Sequence, residues 1–272
     1  MFAAKTCFMP KFIFAALAVG ALGLAPLLQG GPLTEAQVTK IINDVRVVDP
    51  NKGTHPAAVN ERIHDDIGLR TGVKSRSELL FQDDTLARLG PETTFSFKAG
   101  TRDLSLPQGT MLLQVPKGLG GAKIRTAAVT AALTGTTIMV KHAPSREIKV
   151  LVLEGSLRLS LNGTAKSSVM LPAGQMIVMR PDSKRIPDPV TIDLRHLMQT
   201  SSLVKMKGKQ GLASTKLIEK EIEKQDHARE QGSLTQTDFG RSDYASVTEL
   251  QTLRKTAEPS SDNAPVGFTR HH

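Results

Sequence analysis

The chain predicts a mainly β protein: a single β-sandwich or short β-solenoid-like domain, preceded by one helix and followed by a mostly disordered C-terminal tail. Three observations carry this expectation. Apolar and polar residues alternate with a period of two in short runs between residues 57 and 180, as in Phe95–Phe97, Leu104–Leu106 and Leu157–Leu161. Gly, Pro, Asn and Asp interrupt these runs at intervals of roughly 8–12 residues, the spacing of successive short strands. Between the runs no helical periodicity appears, so βαβ units are not expected.

Taken in order, residues 1–30 read as a signal peptide or an N-terminal anchor. Lys5 and Lys11 precede the run FIFAALAVGALGLAPLL from Phe12 to Leu28, and small or breaking residues follow. The strongly apolar part, Phe12–Ala25, is 14 residues, short of the roughly 20 that a membrane span needs. An export address follows, periplasmic or secreted, with attachment to a membrane only through an uncleaved N-terminus. Within residues 33–56, Thr34 and Gln37 fit a capping box, and Val38, Ile41, Ile42 and Val45 fall at helical spacing. The spacing predicts an amphipathic helix over Leu33–Val45, with Asp49–Pro56 as a turn-rich connector.

Residues 57–180 form the expected β domain. Two apolar runs, Leu79–Phe81 and Leu86–Leu89, flank Asp83-Asp84, and Gly90-Pro91 precedes an alternating Phe95 and Phe97. Pro107-Gln108-Gly109 marks a turn. Strand Ile148–Leu153 meets Glu154-Gly155 and then alternating Leu157, Leu159 and Leu161, which reads as a hairpin, and Asn162-Gly163 supplies another. Phe81, Leu89, Phe95, Met111, Leu113, Val152 and Leu159 are expected to be buried together. Pro181, Pro187 and Pro189 open a linker, residues 181–204, with a short helix over Asp193–Thr200. Residues 205–272 are a charged tail, helical over Lys216–Arg229. Its Leu217, Ile218 and Ile222 form a stripe too thin to predict docking, and beyond Gly232 too few apolar residues remain to offset the entropy of ordering.

Composition bounds the chemistry. The 272 residues are 39% hydrophobic, with no Trp and one Tyr, so aliphatic side chains and a few Phe must build the core. A net charge of +9 suits a solvated basic surface or an anionic partner. Stacking aromatics among concentrated Lys and Arg, the mark of nucleic-acid readers, are missing from the pattern. The sole cysteine, Cys7, precedes the apolar run, so neither disulfides nor Cys-ligated zinc belong to the domain.

No constellation of reactive residues stands out. Of seven histidines only the terminal His271-His272 are neighbours. His64-Asp65-Asp66 reads as a solvated turn, and Asp83-Asp84 as turn chemistry, because adjacent strand residues point to opposite faces. Lys117–Arg125 (KGLGGAKIR) lacks the Gly-Lys-Ser/Thr ending of a phosphate loop and reads as a mobile hairpin loop. Asn162-Gly163-Thr164 matches a glycosylation sequon inside a turn. There is no Gly-x-Ser-x-Gly elbow. Catalytic, cofactor-binding and metal-binding residues are therefore expected to be none, the chain is expected not to be an enzyme, and no cofactor is expected.

The same residues resemble a known family, the FecR-domain proteins of bacterial envelopes. Thr71-Gly72, Ser77, Leu79, Phe81, Asp83, Thr85 and Leu89 are similar to the family's first motif. Gly135-Thr136 with Ile138 and Val140 resembles the second, and Val152 to Ser156 with Leu157 and Leu159 the third. Leu171-Pro172-Ala173-Gly174-Gln175 looks like the closing turn, so the resemblance spans about Ala57–Arg180. Asp84 departs from the usual glycine, and Thr134 stands where arginine is common. The resemblance implies an all-β extracytoplasmic domain. In founding members that domain lies between a cytoplasmic sigma-factor-binding segment and a surface-signalling partner. Here only about eleven residues precede the apolar run, so cytoplasmic sigma control is not expected. The leading expectation is a non-enzymatic binding or scaffolding module of the cell envelope, whose partner is an envelope protein or an anionic cell-wall glycan, not nucleic acid. The alternative is a periplasmic signalling regulator working through a membrane-spanning partner.

Overall fold

The structure, a computed structural model, describes residues 31–64, 66–163, 167–208 and 211–234. The apolar run at 12–28, Asp65, Thr164 and the tail beyond residue 234 lie outside these. The first strands are β1 (Ala36–Ile42), β2 (Val45–Asp49), β3 (Gly53–Pro56), β4 (Arg62–Ile63), β5 (Gly68–Thr71) and β6 (Arg76–Phe81). Next come β7 (Leu86–Leu89), β8 (Thr94–Lys98), β9 (Asp103–Gln114), β10 (Gly121–Arg125), β11 (Val129–Thr134) and β12 (Thr137–Ala143). The series ends with β13 (Glu147–Glu154), β14 (Ser156–Leu161), β15 (Ser168–Pro172), β16 (Gln175–Met179) and β17 (Val190–Thr191), then α1 (Leu194–Thr200) and α2 (Thr215–Glu230).

These strands make one unclosed sheet folded into two layers at β9. In the first layer the order is β4-β1-β6-β7-β9-β12-β13-β16-β17. In the second it is β3-β2-β5-β8-β9-β10-β11-β14-β15, antiparallel except for β9 and β10. Strand β9 serves both, pairing with β10 through Asp103–Ser105 and with β12 through Gly109–Gln114. The Pro107–Gly109 turn is thus a bend inside one long strand. Gly109 has φ +104°, and a Cβ there would lie 2.3 Å from Thr93 Cα; only glycine lets the chain cross between layers here.

Crossing between layers corrects one sequence reading. Glu154-Gly155 is not a hairpin turn, because β13 pairs with β12 and β16 while β14 pairs with β11 and β15. It is a corner at which the chain leaves one layer for the other. The turn residues signal a reversal in either case, and local sequence cannot say whether the next strand pairs with the last.

The segment predicted as a helix over Leu33–Val45 instead forms β1 and the start of β2. Val38, Ile41, Ile42 and Val45 fit a helical stripe, but they are β-branched. Strand β6 pairs with β1 from Ala36 to Ile42, burying Ala36 and Val38. Thr34 caps no helix; its hydroxyl accepts from Gln82 Nε2 at 3.1 Å. The predicted connector Asp49–Pro56 closes a hairpin as β3.

All seven residues expected in the core belong to one buried cluster between the layers. A second cluster coats the outer side of the first layer, where Leu112, Met139, Leu151, Leu153 and Met176 meet Leu194, Leu197, Leu203, Ile218 and Ile222. Burial on both faces explains the near-continuous apolar runs in β13 and β16. The helix expected at Asp193–Thr200 is present, capped by Asp193, whose carboxylate accepts from His196 N at 2.9 Å. The thin stripe of α2 does dock: Ile218 and Ile222 lie one turn apart on one face. Gln225 ties α2 to the start of α1 by accepting from Leu194 N at 3.2 Å and donating to Ile192 O at 2.8 Å, and Arg229 pairs with Asp193 at 3.0 Å.

At the β6–β7 turn Asp83 Oδ1 accepts from Thr85 N at 3.0 Å, and Asp84 sits at φ +61°. The position favours glycine, which the resemblance places there. Asp84→Gly is therefore expected to raise unfolding free energy by about 0.5–1 kcal/mol. A fall in the urea midpoint would refute the assignment.

Candidate functional site

While the first layer is clad by helices, the second shows its outer face to solvent. Strands β10 and β14 alternate exposed and buried residues along their length, as a sheet open on one side requires. Pairing register aligns one row across six strands of this face: Lys98, Asp103, Lys123, Ala132, Arg158 and Met170. Lys98, Lys123 and Arg158 occupy every second strand, so their backbone positions repeat at about 10 Å. A neighbouring row runs Ser105, Arg125, Thr130, Ser160 and Ser168, and Arg46 faces Arg70 across β2 and β5.

The balance on this face is strongly positive. Asp103 is held by Arg125 at 3.0 Å, and Asp44 by Arg46 at 3.2 Å. Arg70, Lys98, Lys123 and Arg158 form no ion pair among the described residues. Between Lys123 and Arg158 lies an open cavity of about 740 Å³, with Gly121, Ala132, Thr134 and Ser156 among its lining residues. The half-exposed Met170 is part of its lining. Arg102 forms the wall; it pairs with Asp83 at 2.7 Å and donates to Gly121 O at 2.6 Å and Gly31 O at 2.9 Å. Such a groove can hold a chain of anionic groups through exposed cations and hydroxyls.

Part of this face falls on residues read from sequence as a mobile loop. Lys117–Arg125 is a loop only in its first half; Gly121–Arg125 is β10, paired on both sides. Glycine content hid the alternation of Ala122 and Ile124, which point into the core.

The other residues weighed for chemistry are dispersed. His64 lies 3.6 Å from Glu35, and His55 lies 2.8 Å from Glu61. Lys117 pairs with Glu154 at 2.8 Å. Asn162 donates to Thr126 O at 2.9 Å, pinning the turn. His142 is buried with Nδ1 3.1 Å from Leu106 O. Among the described residues no three His, Cys, Asp or Glu converge, and no helix is long and apolar enough to cross a membrane.

Fold and face together define an all-β domain with one layer clad and one layer open and basic. Residues 68–158, from β5 to Arg158 in β14, match the family described as FecR protein over one continuous stretch. Lys98, Lys123 and Arg158 all lie within it. The residues that carried the resemblance hold its corners. Thr71 Oγ1 donates to Gly90 O at 2.6 Å, and Thr136 Oγ1 donates to Ser156 O at 2.9 Å. No curated protein matches the chain. Two crystal structures of a "putative anti-sigma factor" from Parabacteroides distasonis ATCC 8503 are similar at 15% identity, with TM-scores of 0.42 and 0.41. The similarity covers 48% and 49% of this chain and 62% and 64% of those chains, less than two thirds of their length.

Proposed function

We propose that the chain is a non-enzymatic binding module of the bacterial cell envelope, exported to the periplasm or beyond. It presents the open face of its second layer to an anionic polymer, an acidic cell-wall glycan being the fitting class. The observation that carries this reading is the row Lys98, Lys123, Arg158, spaced on alternate strands with a carboxylate already occupied by Arg125 between them. A regular file of exposed cations suits a regular file of anions. The three phenylalanines of β6 and β8 are buried in the core and offer no stacking surface for bases.

Retention of the full chain on purified acidic wall polymer tests the reading. Binding is expected at low salt and release as ionic strength rises, since exposed charges are screened. Lys98→Gln, Lys123→Gln and Arg158→Gln together are expected to weaken it about tenfold or more. Retention unchanged in the triple variant would overturn the proposal. The FecR match favours a second reading, a periplasmic regulator that works through a membrane-spanning partner. Recovery of a transmembrane sensor from envelope fractions, without retention on wall polymer, would favour that instead.

A further inference from the structure

A second basic site lies apart from the open face, where the segment after α1 crosses the edge of the first layer. A cavity of about 460 Å³ there is lined by Lys40 of β1, Arg76 of β6, Thr200 at the end of α1, and Ser202, Lys205 and Lys207 of the crossing segment. Its lining includes four cations and two hydroxyl groups and no carboxylate. None of the four cations forms an ion pair among the described residues. Arg76 Nε is buried and has no hydrogen-bond partner among the described residues. An enclosed donor without an acceptor is costly, and converging like charges repel. A bound dianion answers both.

We propose that this junction binds a phosphate-class oxyanion, and that its occupancy fastens residues 200–207 to the β domain. Two cations come from the sheet and two from the crossing segment, so an anion between them bridges the two. The segment is already anchored next door, where Arg88 Nη1 donates to Leu203 O and Val204 O, both at 2.9 Å. The anion relieves the repulsion that opposes this docking. A soluble phosphate or a phospholipid headgroup would supply the same chemistry.

The full chain titrated with inorganic phosphate tests this, against sodium chloride of matched ionic strength. Saturable binding, a rise in melting temperature and slower amide exchange over residues 200–208 are expected with phosphate only. Lys205→Gln/Lys207→Gln, at exposed positions, is expected to weaken binding roughly tenfold per cation removed and to abolish the exchange effect. Arg76→Gln is the second variant, with the same expected direction. Binding of free phosphate without retention on phosphatidylglycerol vesicles assigns a soluble ligand. Vesicle retention that the double variant loses assigns a headgroup. Equal effects of chloride and phosphate, or equal phosphate binding by wild type and double variant, would overturn the proposal. The Lys98/Lys123/Arg158 variant is expected to bind phosphate like wild type, which separates this site from the open face.

Discussion

Replacing Arg88 by methionine is expected to destabilise the protein by about 3–5 kcal/mol, the usual effect of breaking one side of a sealed ion pair. Arg88 and Glu78 side chains are 1% and 0% exposed, with Nε 2.9 Å from Oε2. Thr39 Oγ1 donates to the other carboxylate oxygen at 2.8 Å. The guanidinium also supplies the hydrogen bonds that hold Leu203 and Val204 across the first layer. Methionine fills much of the volume but leaves a buried carboxylate with its countercharge gone and two carbonyls without that donor. Because domains are stable by only about 5–15 kcal/mol, the variant is expected to unfold at a much lower urea midpoint. Glu78→Leu added to Arg88→Met should recover most of the loss, since a buried pair exchanged for apolar groups is often neutral. A loss below about 1 kcal/mol in the single variant would show that water reaches the pair.

That pair was open to discovery in the sequence. With the turn centred on Asp83, residues equally distant from it pair across the hairpin, and Glu78 stands opposite Arg88. Opposite charges at matching register, Glu78 bordering one apolar run and Arg88 inside the other, are the signal. The alternating pattern, the turns and the motif residues likewise disclosed an all-β domain and most of its core. Two features resisted. The stripe Val38, Ile41, Ile42, Val45 satisfies helical spacing, and only the partner strand β6, some forty residues on, decides for a strand. The basic face assembles residues 98, 103, 123, 132 and 158 through a parallel β9–β10 pairing and through corners that local sequence cannot tell from hairpins. Neighbours so far apart in the chain, in a register set by the folded sheet, leave no local trace.

Phe81→Ala is expected to cost about 3–5 kcal/mol, the range for deleting an enclosed aromatic ring. Phe81 is 2% exposed and ends β6, paired with Ala36 of β1. Its ring meets Phe97 of β8 edge-on, with centroids 5.1 Å apart and planes at 81°. The contact joins the two layers directly, so truncation opens a void between sheets rather than at a rim that could collapse. The turn beyond depends on backbone bonds, Phe81 N to Thr85 O at 2.9 Å and Asp84 N to Phe81 O at 3.1 Å. The loss is therefore expected to come from packing, with the hairpin retained. Phe81→Leu should then cost markedly less than Phe81→Ala. Combining Phe81→Ala with Phe97→Ala should reveal a coupling of about 0.5–1.5 kcal/mol. Additive losses in that cycle, or a negligible change in thermal stability for Phe81→Ala alone, would mean that this ring does not join the layers.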